Sequence, residues 1–77
     1  MYPNPAKDYT SLNFSVNGEK AYIVIRDVSG KDVYAKQIDK SAGTDVIDVS
    51  SLASGSYVVF LFSDDQLVEV LKLNIAN

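Results

Sequence analysis

Two features of the sequence predict an all-β fold. No window of a dozen residues shows the 3.6-residue hydrophobic period of an amphipathic helix, whereas β-branched and aromatic residues cluster in short runs. Residues that favour turns separate these runs about every ten positions, which is typical of a β-sandwich or a small barrel. With 77 residues, the chain is long enough for one such domain.

Three strands are predicted in the first half of the chain. Alternating apolar residues indicate the first strand over residues 10–16. Asn17-Gly18 then predicts a two-residue hairpin, because both residue types tolerate a positive φ. The second strand covers residues 21–27, and a turn containing Gly30 returns the chain into an antiparallel third strand over residues 32–38.

Three further strands are predicted in the second half. Residues 44–49 form the fourth strand, and the serine-rich residues 50–55 form a compact corner. Residues 56–63 make the most hydrophobic strand, and the polar turn 64–66 leads into the last strand, residues 67–75. The sequence therefore predicts an immunoglobulin-like antiparallel β-sandwich of six strands, or seven if the N-terminal residues pair with a sheet.

The fifth predicted strand is apolar on both faces, although a half-buried antiparallel strand normally alternates with polar residues. One interpretation is a central strand covered on both sides by loops or by the N-terminal residues. The other places Phe60 and Phe62 in an exposed apolar patch that meets a partner. That second interpretation predicts weak self-association of the domain through Phe60 and Phe62.

The composition argues against catalysis. The chain has no Cys, so no thiolate is available for catalysis or metal binding. It has no His, the most common general base and metal ligand, and its serines occur in turns with no plausible base near them in sequence. Asp27 and Asp32 flank a turn and could contribute to a weak calcium site, but they lack the dense alternating carboxylates of a dedicated calcium loop. A net charge of −3 without a basic patch argues against binding to nucleic acid. We expect no enzyme activity, no cofactor and no metal.

The first residues differ in composition from the rest. Pro3 and Pro5 restrict the backbone of their neighbours to extended conformations. Met1-Tyr2-Pro3 lacks the basic start and the apolar stretch of a signal peptide, so targeting information is expected upstream in a parent protein. We therefore expect residues 1–8 to be a linker with a Pro-Asn-Pro motif, and residues 9–77 to be the sandwich.

Four blocks of the sequence, in this order, resemble the C-terminal sorting domains (type A) of the bacterial type IX secretion system. The first block is Tyr2-Pro3-Asn4-Pro5-Ala6. The others are the strand and turn from Ala21 to Val33 with Asp27, Gly30 and Lys31; the segment from Ile47 to Tyr57; and the closing Lys72-Leu73-Asn74-Ile75. One departure is Phe60, near which family members usually carry a polar or charged residue.

The resemblance implies that the domain is a sorting signal for export rather than a catalyst. A larger cargo protein carrying such a domain would reach the periplasm, be recognised by the type IX translocon, and often lose the domain to a sortase at the cell surface. The residues implied in recognition are Pro3, Asn4, Pro5, Asp27, Gly30, Lys31, Gly55, Tyr57 and Lys72. Turn geometry is the alternative reason for the glycines and Asp27, and core packing is the alternative for Tyr57.

A second class of function is a non-catalytic β-sandwich module that binds carbohydrate or protein for a secreted enzyme. Exposed aromatic side chains can stack on sugars, and the chain offers several aromatic residues. They are Tyr22, Tyr34, Tyr57, Phe60 and Phe62. The absence of Trp and the scarcity of polar neighbours count against sugar binding.

Overall fold

The structure is a computed structural model that describes residues 1–76. These residues contain six β-strands. The strands are β1 (Tyr9–Ser15), β2 (Ala21–Arg26), β3 (Asp32–Ile38), β4 (Ala42–Asp48), β5 (Gly55–Ser63) and β6 (Gln66–Ile75). No helix occurs in the described part of the chain, and so none there is suited to crossing a membrane. The all-β prediction is confirmed, and strand boundaries differ from the predicted ones by at most two residues.

The strands form two antiparallel sheets in a sandwich-like arrangement. One sheet contains β1 and β4, and the other has the order β3-β2-β5-β6. The antiparallel pairing of β2 with β3 agrees with the prediction. The predicted range of the sandwich, residues 9–77, ends at Asn77, which lies outside the described residues.

The predicted hairpin at Asn17-Gly18 is wrong. β1 pairs with β4, and β2 pairs with β3 and β5, so the residues after β1 cross from one sheet to the other. Gly18 is suited to this position because a Cβ there would lie 2.5 Å from side-chain atoms of Ser63 and Asp64. The hairpin with two positive φ angles occurs instead at Asp64 (52°) and Asp65 (63°), residues that tolerate the left-handed region.

The core lies between the two sheets. Strand alternation places every second side chain on the inner face, so β5 buries Tyr57, Val59 and Leu61 there. These side chains pack in a single cluster with residues of the other strands and of the N-terminal segment. Its remaining members are Ala6, Leu12, Phe14, Val16, Ala21, Ile23, Ile25, Ile38, Ile47, Val49, Leu73 and Ile75.

The outer face of the four-stranded sheet agrees in part with each of the two interpretations of β5. β5 is a central strand, hydrogen-bonded to β2 and β6, as the first interpretation requires. Its outer side chains Val58, Phe60 and Phe62 are nevertheless only half-buried. The guanidinium of Arg26 lies 4.8 Å from the centre of the Phe60 ring and covers part of it. The strand is therefore central, but its outer apolar side chains are incompletely covered.

Candidate recognition surface

The Pro-Asn-Pro motif lies along the edge of β6. The Asn4 side chain donates from Nδ2 to the Lys72 carbonyl (3.1 Å), and its Oδ1 accepts from the Asn74 amide (3.0 Å). One side-chain amide thus satisfies two backbone groups of an edge strand, as a neighbouring strand would. Next to it, the Ala6 amide donates to the Asn74 carbonyl at 2.8 Å.

The same N-terminal residues also contact the other sheet. Tyr2 and Ser11 of β1 exchange two backbone hydrogen bonds of 3.0 and 2.7 Å. The buried hydroxyl of Thr10 donates to the Pro3 carbonyl at 3.0 Å. The peptide bonds before Pro3 and Pro5 are cis. Residues 2–6 therefore connect β1 of one sheet to β6 of the other.

The turn between β2 and β3 is organised by Asp27. Its Oδ1 accepts hydrogen bonds from the Ser29 amide (2.9 Å), the Ser29 hydroxyl (2.6 Å) and the Lys31 amide (3.0 Å). The Ser29 hydroxyl bond, followed by the other donors, lowers the pKa of the Asp27 carboxyl. Gly30 has a φ of 88°, which glycine adopts without strain. Asp27 and Gly30 therefore stabilise the turn itself, as the alternative based on turn geometry requires.

Tyr57 has a structural role in the corner before β5. Its ring is buried in the core, and its hydroxyl donates to the Ala53 carbonyl at 2.6 Å. A buried Tyr that hydrogen-bonds to the backbone a few residues upstream resembles the tyrosine corner of other β-sandwiches. Gly55, at the start of β5, has a φ of 154° and pairs with Ile75.

Lys72 borders a shallow depression on the outer face of the four-stranded sheet. In the sheet it lies opposite Val58, which in turn lies opposite Arg26. The depression has a volume of about 240 Å³. Its lining residues are Asp27, Val28, Ser56, Tyr57, Val58, Lys72 and Asn74.

Strand direction brings the predicted recognition residues to one end of the four-stranded sheet. β5 is antiparallel to β2 and β6, so the end of β2, the start of β5 and the end of β6 lie side by side. We call this end, formed by residues 27–31, 55–58 and 72–75, the top of the sheet. The nine residues at or beside it are Pro3, Asn4, Pro5, Asp27, Gly30, Lys31, Gly55, Tyr57 and Lys72.

The sequence interpretation missed Val28, Val58 and Asn74 at the top of the sheet. The sequence indicates for Val58 only a strand that is apolar on both faces, and for Asn74 only the closing motif. The tripeptide Asp-Val-Ser occurs both at 27–29 and at 48–50, so it indicates a turn at Val28 without indicating that the valine is exposed.

Neither a metal site nor a sugar-stacking surface is supported at this end. No group of three acidic side chains among residues 1–76 is arranged to hold a metal ion. The Asp27 carboxylate is engaged in its own turn, and Asp32 forms an ion pair with Arg26 at 2.8 Å. Tyr57 is buried and Tyr34 packs against the core, which withdraws both from stacking on a ligand.

Comparison with known proteins gives one family. Residues 1–76 match the family described as "Secretion system C-terminal sorting domain". A search of curated proteins found no match.

Proposed function

The chain belongs to the family of secretion system C-terminal sorting domains, and from this premise we propose that the top of the four-stranded sheet is the surface that the secretion machinery reads. The function of the domain is that of a C-terminal sorting signal for type IX secretion. A carbohydrate- or protein-binding module is not favoured.

One observation supports this choice of surface. Residues that are far apart in sequence meet there, since the Asn4 side chain bonds to the backbone of Lys72 and Asn74. The β2–β3 turn lies beside them and shares the depression next to Lys72. A receptor that contacts the top of the sheet would contact residues from several of the family-like blocks at once.

The nine residues divide into three roles in this proposal. Lys31 and Lys72 are exposed and supply charged side chains for a partner to contact. Pro3, Asn4 and Pro5 position the edge of β6, whereas the remaining four residues hold the surface in shape. Those four are Asp27, Gly30, Gly55 and Tyr57.

The proposal extends to the route of the protein. A cargo domain in the same polypeptide is carried through the periplasm, and the folded tail is engaged by the translocon at the outer membrane. A sortase then removes the tail at the cell surface. The tail is a substrate in this sequence of events and supplies no catalytic group, in keeping with sorting-signal domains in general, which are non-catalytic.

Export of a reporter tests the proposal. Residues 1–77 are fused behind a periplasmic reporter in a bacterium with a type IX system, and the reporter on the cell surface is compared with that in the periplasm. We expect surface exposure comparable to that given by an established sorting tail. A reporter that stays in the periplasm, while the established tail exports it, contradicts the function. An exported fusion that is insensitive to a Lys31→Gln, Lys72→Gln double substitution contradicts the proposed surface.

We also propose weak self-association through the outer face around Phe60 and Phe62. Both rings are half-buried, and neighbouring Val70 and Tyr22 are exposed, so the apolar area is continuous across three strands. Association of two copies through this face would remove apolar surface from water.

Sedimentation at high protein concentration tests this association. We expect Phe60→Lys and Phe62→Lys each to lower the associated fraction, because a buried ammonium disfavours the interface. Val46→Lys, on the outer face of the two-stranded sheet, is the matched control and should leave association unchanged. A strictly monomeric wild-type protein at high concentration contradicts the proposal.

A further inference from the structure

Two copies of the tripeptide Asp-Val-Ser form the same local turn, but their valines differ in burial. Asp27 Oδ1 and Asp48 Oδ1 each accept from the amide two residues ahead at 2.9 Å and from the same serine hydroxyl at 2.6 Å. Val49 is completely buried in the core, whereas Val28 is 86% exposed. The turn geometry therefore does not require a valine at position 28, and neither does the core.

A single exposed valine is common on protein surfaces and carries no conclusion by itself. Val28, however, lies at the wall of the depression described above, with half-buried Val58 also lining it. Lys72 lines the same depression, and among residues 1–76 its ammonium forms no ion pair. The depression thus combines two apolar side chains with an uncompensated cation.

The charges around the depression favour an anion. The Asp27 carboxylate also lines it, and its three turn hydrogen bonds leave it charged, but the attraction of Lys31 offsets that negative charge. Asp32 is paired with Arg26. Lys72 is therefore the cation at this site left to meet a carboxylate from outside.

The size of the depression favours a protein side chain as the occupant. Its volume of about 240 Å³ lies below the roughly 300 Å³ at which pockets for drug-sized ligands begin. A segment that presents one apolar side chain beside one carboxylate would bury the first against Val28 and Val58 and pair the second with Lys72. Apolar anchors that fill small pockets commonly dominate protein–protein affinity.

We infer that the depression formed by Val28, Val58 and Lys72 docks a segment of the secretion machinery that carries a carboxylate next to an apolar side chain. The inference rests on the proposed sorting function and deepens it, because it assigns contacts to Val28 and Val58. Asp27, by contrast, acts only through the turn.

The export assay with single substitutions tests the inference. Val28→Ser removes the apolar wall, and Lys72→Gln removes the cation without introducing repulsion. We expect each to lower the surface-exposed fraction of the reporter several-fold while the urea unfolding midpoint of the tail stays unchanged. Matched controls are Val46→Ser, an exposed valine on the other sheet, and Lys20→Gln, at the opposite end of the same sheet; both should export normally.

The possible outcomes distinguish a failure of this docking site from a failure of the sorting function. If the wild-type tail fails to export the reporter, the sorting function is contradicted. If the wild-type tail exports it and Val28→Ser exports equally well, the depression is not the docking site, whatever the result for Lys72→Gln. Equal losses in Val28→Ser and Val46→Ser also contradict the inference, because any exposed valine would then have the same effect.

Discussion

The turns at 27–31 and 48–52 begin alike and then diverge. In both, an aspartate oxygen accepts from the serine two residues ahead with the same distances. In the first turn the next residue is Gly30 with a φ of 88°, and the Lys31 amide also bonds to Asp27. In the second turn the corresponding residue is Ser51, and the Leu52 amide bonds to the Val49 carbonyl.

The difference shows which properties are local and which come from the surroundings. The Asp–Ser hydrogen bonds form in both places because they depend only on three consecutive residues. Burial of the valine depends on what lies opposite. The backbone amide of Val49 donates to the Asp8 carbonyl, and the Val49 side chain packs in the core. Val28, in the turn that follows β2, is exposed. A shared motif therefore predicts a shared turn without predicting a shared role.

The largest expected contrast comes from shortening the two valines. Val49→Ala removes buried methyl groups and leaves a cavity, so it should lower the free energy of unfolding by about 2 kcal/mol. Val28→Ala should change it by less than about 0.5 kcal/mol, as exposed sites usually do. Urea unfolding followed by circular dichroism measures both. Equal losses would contradict the difference in burial.

A second contrast comes from the fourth position of each turn. Gly30→Ser gives residues 27–30 the sequence of residues 48–51, but a serine at φ 88° is strained, so we expect a loss of about 1 kcal/mol. Ser51→Ala is the control and should have little effect, because among residues 1–76 only Asp64 and Asp65 combine a side chain with a positive φ. A fully stable Gly30→Ser variant would show that the first turn relaxes to the second conformation.

The smallest expected difference between the two turns is in how each aspartate makes the stability of the domain depend on pH. Hydrogen bonds from Ser29 and Ser50 lower the pKa of the Asp27 and Asp48 carboxyls, respectively. A lowered pKa in the folded state means that the stabilisation is complete above the ordinary pKa of aspartate and is lost as the pH falls through the lowered pKa. Asp27→Asn and Asp48→Asn should each weaken the loss of stability on acidification.

Comparing these two variants sharpens the contrast. Asp27 has an additional hydrogen bond from Lys31 and attraction to its ammonium. We therefore expect Asp27→Asn to flatten the acid side of the stability profile more than Asp48→Asn does. Chemical denaturation at a series of pH values measures the profile, and a larger effect of Asp48→Asn would contradict the additional role of Lys31.

Much of the fold was predictable because its signals are local. Short runs of β-branched and aromatic residues between turn residues located all six strands, and Gly30 located the turn between β2 and β3. The partner of β1 was not predictable in the same way, because Asn17-Gly18 favours a hairpin locally while strand pairing depends on packing of the whole chain. The close approach of Ser63 and Asp64 explains Gly18 only once the sheets are assembled.

The candidate site was predictable in part. The resemblance supplied Asn4 and Lys72, but their contact joins residues 68 positions apart, which no local pattern reveals. The exposure of Val28 could not be predicted, because its neighbours in sequence are those of buried Val49. Only the exposed fraction of each side chain distinguishes the two.

The two hydrogen bonds that the Asn4 side chain makes to the backbone of β6 have a consequence for the order in which the domain is completed. The two partners of Asn4 lie 68 and 70 residues further along the chain, so the loop that these bonds close spans nearly the whole polypeptide. That loop cannot close before β6 has been synthesised and added to β5. A receptor that contacted both Asn4 and the end of β6 would therefore meet its complete surface only on a tail whose last strand is in place.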